Sequence, residues 1–247
     1  MIESRCYVYA IVQREARIPA DLTGLGDAPL SIVPWQDLAA VASPIESATL
    51  PATPANVLRH EAVVEALCQA GPVLPARFGT ILADPAAVAQ AIAEKYEVLR
   101  ADLARVGDKV ELGLTILWDT PAKPDEVQTE QQMLATQTES SASGAGKRYL
   151  EAKLALHRRE AAQQHQARAI IADLEQALRP YLLEQRCRVL SLPRLAVRAA
   201  YLVLPQHVQE VQRAVDELRQ KQPELRWLLS GPWPPYTFVT GAGKPFQ

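Results

Sequence analysis

The sequence predicts an α+β protein of two domains, and three observations lead to this fold class. Strand-like apolar segments alternate with amphipathic helical ones along most of the 247 residues. The stretch from 120 to 146 is instead rich in Gln, Thr, Ser, Ala and Gly, and it offers little apolar surface to bury. The composition as a whole, with 48% hydrophobic and 22% charged residues, is typical of a globular protein. We expect an N-terminal domain over 1–119, a flexible linker or insertion over 120–146 and a C-terminal domain over 147–247.

The N-terminal domain begins with three predicted strands. Residues 6–12 are aromatic and β-branched and are apolar on both faces, which predicts an interior position in a sheet. Residues 30–33 and 38–42 flank a four-residue connection that contains a proline, so they predict two short strands around a tight turn. A helix follows over about 55–70, and Gly71 and Pro72 end it.

A second helix and a fourth strand are expected to complete this domain. Asp84 is a suitable N-cap and Pro85 a suitable first helical residue for a helix that runs to about Val106. Apolar residues alternate over 110–118, which predicts a strand that closes the unit. The order predicts helices stacked on one face of a largely antiparallel sheet, and a ferredoxin-like variant is the simplest such topology.

The C-terminal domain is predicted to begin with a long helix. Apolar residues keep near-helical spacing over 147–184, and a helix of that length would extend roughly 50 Å, so it is either broken or projects from the domain. Strands are expected next over 186–190 and 195–204. A helix over 206–220 and a last strand over 225–229 then precede a tail rich in proline and aromatic residues.

The charge balance and the cysteine count exclude several classes. The net charge of −2 gives no general reason to expect a nucleic-acid partner, although residues 1–120 are net acidic and residues 121–247 net basic. No apolar run is long enough to span a membrane, and the N-terminus lacks a signal-peptide pattern, so a cytoplasmic protein without a membrane partner is expected. Three widely spaced cysteines fit reduced thiols better than disulfides.

The motifs that carry catalysis are incomplete, so no catalytic residue, metal or cofactor is predicted. His60-Glu61 begins like the helix motif of zinc proteases, but Val64 stands where the second histidine ligand should be. The sequence around Gly146-Lys147 resembles a phosphate loop, yet Arg148 replaces the required hydroxyl residue. We expect His60 and Glu61 to lie on an amphipathic helix, where the imidazole bonds to a neighbouring loop.

The most distinctive segment runs from Gly71 to Leu82, and its mixture of Gly, Pro, Arg and Phe fits no periodic element. Arg77 lies beside Phe78, and a guanidinium in apolar surroundings needs a partner. Two interpretations remain open for Arg77. It is either an internal brace, with Glu61 as one possible carboxylate, or a contact for another protein.

Two further clusters are candidates for contacts. Lys147, Arg148, Tyr149 and Lys153 stand near the predicted start of the long helix, where positive charge opposes the helix dipole, so an acidic surface of this chain or of a partner is expected nearby. Trp233 and Tyr236 stand in the Pro-rich tail and either fix the terminus onto the core or form a recognition surface.

Six separated blocks of this sequence form a recognisable set: residues 7–12, His60-Glu61, residues 71–82, Glu111-Leu112, residues 146–153 and residues 231–239. In this order they resemble the gas vesicle protein family GvpL/GvpF. The resemblance implies an accessory or minor gas vesicle protein with no enzyme activity. It further implies binding to the shell protein GvpA and other vesicle proteins, a role in shell nucleation and assembly, and a place at the gas vesicle in the cytoplasm.

Two other classes stay open at this point. A small-molecule enzyme would gather His60, Glu61 and Arg77 in one pocket and perturb their protonation. A structural shell component would need a long exposed apolar face and self-association, whereas this sequence has ordinary charge density.

Overall fold

The computed structural model describes residues 5–118, 145–189 and 195–240. Within these ranges the chain forms two antiparallel sheets, each packed against helices. The mixed α+β class predicted from the sequence is confirmed. The strand order in each sheet follows from pairings between segments that are far apart in the chain.

The first sheet contains strands from the N-terminal part of the chain. They are β1 (Arg5–Gln13), β2 (Ser31–Trp35), β3 (Leu38–Ile45), β4 (Val73–Pro75) and β5 (Ile81–Leu82). The order is β2-β3-β1-β4, and β5 pairs with a second part of β1. β1 is therefore an interior strand, as its apolar character on both faces predicts.

Three helices cover both faces of the first sheet: α1 (Pro54–Ala70), α2 (Pro85–Glu94) and α3 (Tyr96–Val106). α1 packs on the face that carries Tyr7 and Tyr9, whereas α2 and α3 pack on the face that carries Val8 and Ile11. The expectation that the helices lie on one face of this sheet is wrong. Because both faces are covered, β1 and β3 are apolar throughout instead of alternating.

The helix predicted from Asp84 to Val106 is two helices. Asp84 is the N-cap, since its side chain accepts a hydrogen bond of 2.7 Å from the Ala87 N–H. At Lys95 the backbone leaves the helical conformation, with φ −120° and ψ 14°, and α3 begins at Tyr96. No proline or glycine marks this break. It lets α2 pack against β2 and β3 while α3 packs against β4.

The second sheet contains β6 (Val110–Trp118), β7 (Leu182–Val189), β8 (Leu195–Val203) and β9 (Leu225–Trp233) in the order β7-β8-β6-β9. With α4 (Ala145–Leu178) and α5 (Val208–Lys221), the chain order is β-α-β-β-α-β, which is the ferredoxin-like arrangement. β6 pairs with β8 and β9, so the prediction that residues 110–118 close the first sheet is wrong. Its alternating pattern showed a strand but could not show its partners.

The first sheet has the same strand order when read as β4-β1-β3-β2. The connection between β1 and β2 contains a short 3-10 turn (Leu25–Asp27) in place of a crossover helix. The first unit is thus a variant of the ferredoxin-like topology, as predicted.

α4 is continuous but ends at Leu178, six residues before the predicted end. Pro180 cannot continue a helix, and Leu182 begins β7. The described side chains over 150–166 are exposed or partly exposed, with Leu150 at 60% and Leu154 at 51%, and burial begins at Ala167. The first half of α4 therefore projects from the core.

The remaining differences concern segment boundaries. β9 continues to Trp233, four residues past the predicted strand, because Trp233 pairs with Glu111. Helix α5 begins at Val208, after a 3-10 turn over Pro205–His207. Most of the expected linker lies outside the described residues, although Ala145 and Gly146 are already helical. The division of the chain into domains at 119 and 147 stays a prediction.

Candidate functional site

His60 lies at the centre of a buried polar cluster between α1 and the first sheet. α1 begins after the N-cap Thr53, whose hydroxyl accepts a hydrogen bond from the Asn56 N–H. His60 lies on the buried face of this helix together with Val63, Val64 and Leu67. The imidazole is fully buried. Its Nδ1 is 2.9 Å from the Tyr7 hydroxyl, and its Nε2 is 3.2 Å from the Ala76 carbonyl oxygen.

These partners fix the proton on the imidazole. A carbonyl oxygen can only accept, so Nε2 carries the proton and donates it to Ala76, while Nδ1 accepts from the Tyr7 hydroxyl. Burial lowers the pKa of His60 to about 4, although the bond to Ala76 opposes this shift. His60 is therefore neutral at physiological pH, because protonation would place an unpaired charge inside the core.

Two tyrosines from β1 complete the cluster. The Tyr9 ring stacks on His60 at a centroid distance of 5.7 Å, and the Tyr7 ring meets the imidazole edge-on at the same distance. The Tyr9 hydroxyl accepts the Leu25 N–H at 2.7 Å and bonds to the Ser43 hydroxyl at 2.9 Å. Burial raises the pKa of both tyrosines, so both hydroxyls are neutral.

The segment from Gly71 to Leu82 forms the edge of the first sheet beside β1. The Ala76 N–H donates to the Tyr9 carbonyl at 2.8 Å, and the Thr80 carbonyl accepts from Val8 at 2.9 Å. Between these two anchors, Gly79 has φ +83° and donates its N–H to the Tyr7 hydroxyl at 3.1 Å. The turn over 76–80 is thus held at both ends and in its middle.

Arg77 and Phe78 occupy this turn but differ in exposure. Phe78 is partly buried, and its ring meets His60 edge-on at 5.8 Å. Arg77 is exposed. The backbone of the turn is therefore fixed at Phe78 and Gly79, whereas the neighbouring Arg77 is an exposed residue.

Tyr236, from the C-terminal part of the chain, reaches the same cluster. Its hydroxyl is 3.3 Å from His60 Nε2 and is hydrogen-bonded to the Glu61 carboxylate. Burial raises the pKa of Glu61, and the hydrogen bond from Tyr236 opposes this rise. The contact joins the segment after β9 to α1 and β1.

Two carboxylates hold the residues that follow Tyr236. Glu111 on β6 accepts from the Thr237 N–H at 2.8 Å and from its hydroxyl at 2.6 Å. Asp102 on α3 accepts from the Thr240 N–H at 2.5 Å and from its hydroxyl at 2.8 Å. Arg105 links Asp102, Glu184 and the Phe238 carbonyl. The segment 236–240 is thereby fixed between the two sheets.

The cluster has the chemistry of a structural network. Both ring nitrogens of His60 are occupied, and its tyrosine partners are neutral. Across the described ranges, no group of three or more His, Cys, Asp or Glu residues has the geometry to hold a metal ion. The helices of residues 5–118, 145–189 and 195–240 include none that is long and apolar enough to cross a bilayer.

The structure brings together four of the ten candidate residues from the sequence: His60, Glu61, Phe78 and Tyr236. Arg77 is next to Phe78 in the chain but is exposed. Lys153 is exposed on α4, and Trp233 is 49% exposed on β9. Lys147, Arg148 and Tyr149 lie in the first turns of α4, and their side chains lie outside the described ones.

Sequence reasoning missed the partners of this cluster. The sequence analysis gives Tyr7 and Tyr9 no role as hydrogen-bonding partners, although tyrosines two residues apart in an apolar strand indicate two hydroxyls on one buried face. The sequence gives no sign of the partners of Asp102 and Glu111, because Thr240 and Thr237 are more than a hundred residues away.

Comparison with known proteins gives consistent matches along the chain. Residues 5–240 match the family described as gas vesicle synthesis protein GvpL/GvpF. Gas vesicle protein F of Streptomyces sp. (strain CB03234) is 31% identical over 237 residues, which cover 94% of this chain and 98% of the relative. Gas vesicle protein L1 of Halobacterium salinarum is 26% identical over 258 residues, which cover 96% and 91%.

Two solved structures have the same fold. GvpF from Anabaena sp. PCC7120 superposes with a TM-score of 0.74 at 20% identity and covers 96% of both chains. GvpF from Microcystis aeruginosa superposes with a TM-score of 0.70 at 19% identity and covers 96% of this chain and 99% of its own. The sequence match over nearly the whole chain shows that this protein belongs to the GvpL/GvpF family of gas vesicle synthesis proteins, which assigns it a role in gas vesicle formation.

Proposed function

We propose that this chain is an accessory protein that binds the gas vesicle shell protein GvpA and other gas vesicle proteins, and so assists nucleation and assembly of the shell. The observation that carries the proposal is the family match over residues 5–240, which spans both sheets and the segment that joins them. The partners act at the forming vesicle, and the protein has no enzymatic step in this role.

The geometry around His60 favours binding over catalysis. An enzyme built on His60, Glu61 and Arg77 needs an accessible base, but His60 is buried and both its ring nitrogens are hydrogen-bonded. Arg77 lies instead on the outside of the turn. The cluster fixes the backbone of the turn through the contacts of His60 with Ala76 and of Tyr7 with Gly79, which suits a rigid contact surface.

We place one partner contact at the turn over 76–80. Its backbone is fixed by Tyr7, Tyr9 and Val8, so little conformational entropy is lost when a partner binds. Arg77 supplies an exposed guanidinium that suits a carboxylate or a backbone carbonyl of the partner. Lys153 on α4 and Trp233 on β9 are additional exposed candidates for contacts with vesicle proteins.

Co-expression of the tagged chain with GvpA tests this proposal by affinity capture. We expect GvpA to be retained, and we expect the Arg77→Glu variant to retain at least about fivefold less, because the substitution reverses a charge at the contact. The control is Arg213→Glu, an equal charge change at an exposed position on α5. Failure of the parent chain to retain GvpA or any other vesicle protein would refute the proposal.

A further inference from the structure

Described elements cover one face of the second sheet fully and the other face only in part. α4 and α5 pack on the face that carries Leu112, Leu114 and Tyr201. On the opposite face, Glu111 and Leu202 are opposite each other, and the segment 236–240 and α3 cover this end. The same face continues beyond that contact toward the other end of the strands.

A row of four residues crosses the open end of this face. Arg188 pairs with Arg198, Arg198 with Thr115, and Thr115 with Leu228, so all four lie side by side on one face. The row spans about 14 Å, because neighbouring strands lie about 4.8 Å apart. Arg226 lies two residues before Leu228 on the same face. We name these five residues the arginine face.

The arginine face is exposed and positively charged. Its three arginines are all exposed, and Leu228, at the end of the row, is 50% exposed. In the part of the chain that the structure describes, none of these arginines has an ion-pair partner. Two carboxylates of the described strands, Glu111 and Glu184, are engaged at the covered end of this face, where Glu111 binds Thr237 and Glu184 binds Arg105.

The pairing of Arg188 with Arg198 lowers the stability of the folded protein. The two residues are directly opposite on adjacent antiparallel strands. Like charges at such positions repel and destabilise the pair of strands. Folding alone gives no reason to keep two arginines there, whereas an anionic partner would relieve the repulsion.

We infer that the arginine face is a docking surface for a carboxylate-rich segment of a partner polypeptide. Charge complementarity carries this assignment, because the three arginines are exposed and have no ion pair with another described residue, and guanidinium groups form planar forks that suit carboxylates. Leu228 and the nearby Leu117 add apolar surface beside the charges. The expected segment is therefore amphipathic, with glutamate or aspartate side chains interspersed with apolar ones.

A polypeptide fits this surface better than a nucleic acid. The chain has a net charge of −2, and residues 1–120 are net acidic, so a long polyanion that extended over that part of the chain would be repelled there. A short acidic segment needs only the 14 Å of the arginine face. The inference goes beyond the proposed function, since it assigns a second surface and does not require the partner to be GvpA.

Fluorescence anisotropy with the full chain tests the inference directly. The probe is a labelled helical peptide of about 18 residues with glutamate and leucine at helical spacing. A glutamine analogue and a single-stranded oligonucleotide of similar length are compared with it at about 50 mM salt, where electrostatic contacts are weakly screened. The protein variants are Arg188→Glu/Arg198→Glu and, as a matched control, Arg213→Glu/Arg219→Glu on α5.

We expect the glutamate peptide to bind at least about tenfold more tightly than the glutamine analogue, because the carboxylates supply the recognition. We expect Arg188→Glu/Arg198→Glu to weaken binding at least about tenfold and the control to weaken it less than about twofold. Equal loss in both variants, tighter binding of the oligonucleotide, or no binding of the glutamate peptide would overturn the inference. Capture of GvpA by the same variants tests the proposed function separately. The proposed function does not depend on peptide binding at the arginine face.

Discussion

Asp102 on α3 accepts two hydrogen bonds from Thr240, one from the backbone N–H and one from the hydroxyl, across 138 positions of the chain. Asp102 is itself buried and also pairs with Arg105 at 2.7 Å. This relationship ties the end of the described chain to the helix layer of the first sheet. The same segment contributes Phe238 to the core of that sheet, so the two sheets share packing.

Replacement of Asp102 by alanine tests the importance of this connection. We expect Asp102→Ala to lower the free energy of unfolding by about 2–4 kcal/mol, because Thr240 and Arg105 lose a buried partner. Urea denaturation measures the change. The control Asp216→Ala removes an exposed pair with Arg219 and should change stability by less than about 0.5 kcal/mol. Equal effects of the two substitutions would contradict this account.

The pH dependence of stability tests the protonation state of His60. Its pKa of about 4 in the folded protein is below the value of about 6.5 expected after unfolding. The unfolded state therefore binds more protons between these values, so this contribution to stability is complete above about pH 6.5 and is lost as the pH falls to about 4. The full loss corresponds to about 3 kcal/mol.

His60→Gln removes this titration, so we expect the difference in stability between parent and variant to shrink as the pH is lowered from 7 to 4.5. Raised pKa values at Glu61 and Glu111 act in the opposite direction, because those carboxyls bind protons more readily in the folded state. Both carboxyls are present in the parent and in the variant, so their contributions largely cancel when the two proteins are compared by urea denaturation at the same pH. A constant difference across this range would show that His60 is not held neutral by burial.

Two glycines of the edge segment test the conformation of the turn. Gly79 has φ +83°, which disfavours any residue with a Cβ, whereas Gly71 is extended and has open space around its Cα. We expect Gly79→Ala to lower stability by about 1 kcal/mol and Gly71→Ala to change it by less than about 0.5 kcal/mol. Thermal unfolding of both variants is the measurement, and the reverse order would refute the turn described here.

Relief of the repulsion between Arg188 and Arg198 should stabilise the second sheet. We expect Arg188→Thr to raise the free energy of unfolding by about 0.5 kcal/mol, because it removes a like-charge cross-strand pair and introduces a good strand former. The gain should fall at about 1 M salt, where charges are screened. If the variant is less stable than the parent at low salt, Arg188 has a structural role that this account lacks.

Local signals predicted much of the fold. Asp84 and Pro85 mark a helix start that the structure confirms, and the apolar run of β1 gave its interior position. The partners of β6 could not be predicted in this way, because strand pairing across 78 to 122 residues leaves no local trace. The break at Lys95 has no sequence signal either, since packing of α2 and α3 on different strands decides it.

The candidate site was predicted in part. His60 was expected to bond to a neighbouring loop, and the structure places its Nε2 on the Ala76 carbonyl of the Gly71–Leu82 segment. Its partners Tyr7 and Tyr236 come from opposite ends of the chain, which only the folded arrangement brings together. The arginine face was not predicted, because which arginines share a face depends on the register of β7 with β8.

Flotation of cells provides the most direct test of the central claim that this chain assists gas vesicle assembly through protein contacts. The gene is deleted from a vesicle-forming host and restored as the parent chain, Arg77→Glu or Arg213→Glu. The account predicts that deletion abolishes flotation, that the parent chain and Arg213→Glu restore it, and that Arg77→Glu restores it poorly although the protein accumulates normally. Normal flotation and normal vesicle numbers in the deletion strain would contradict the claim.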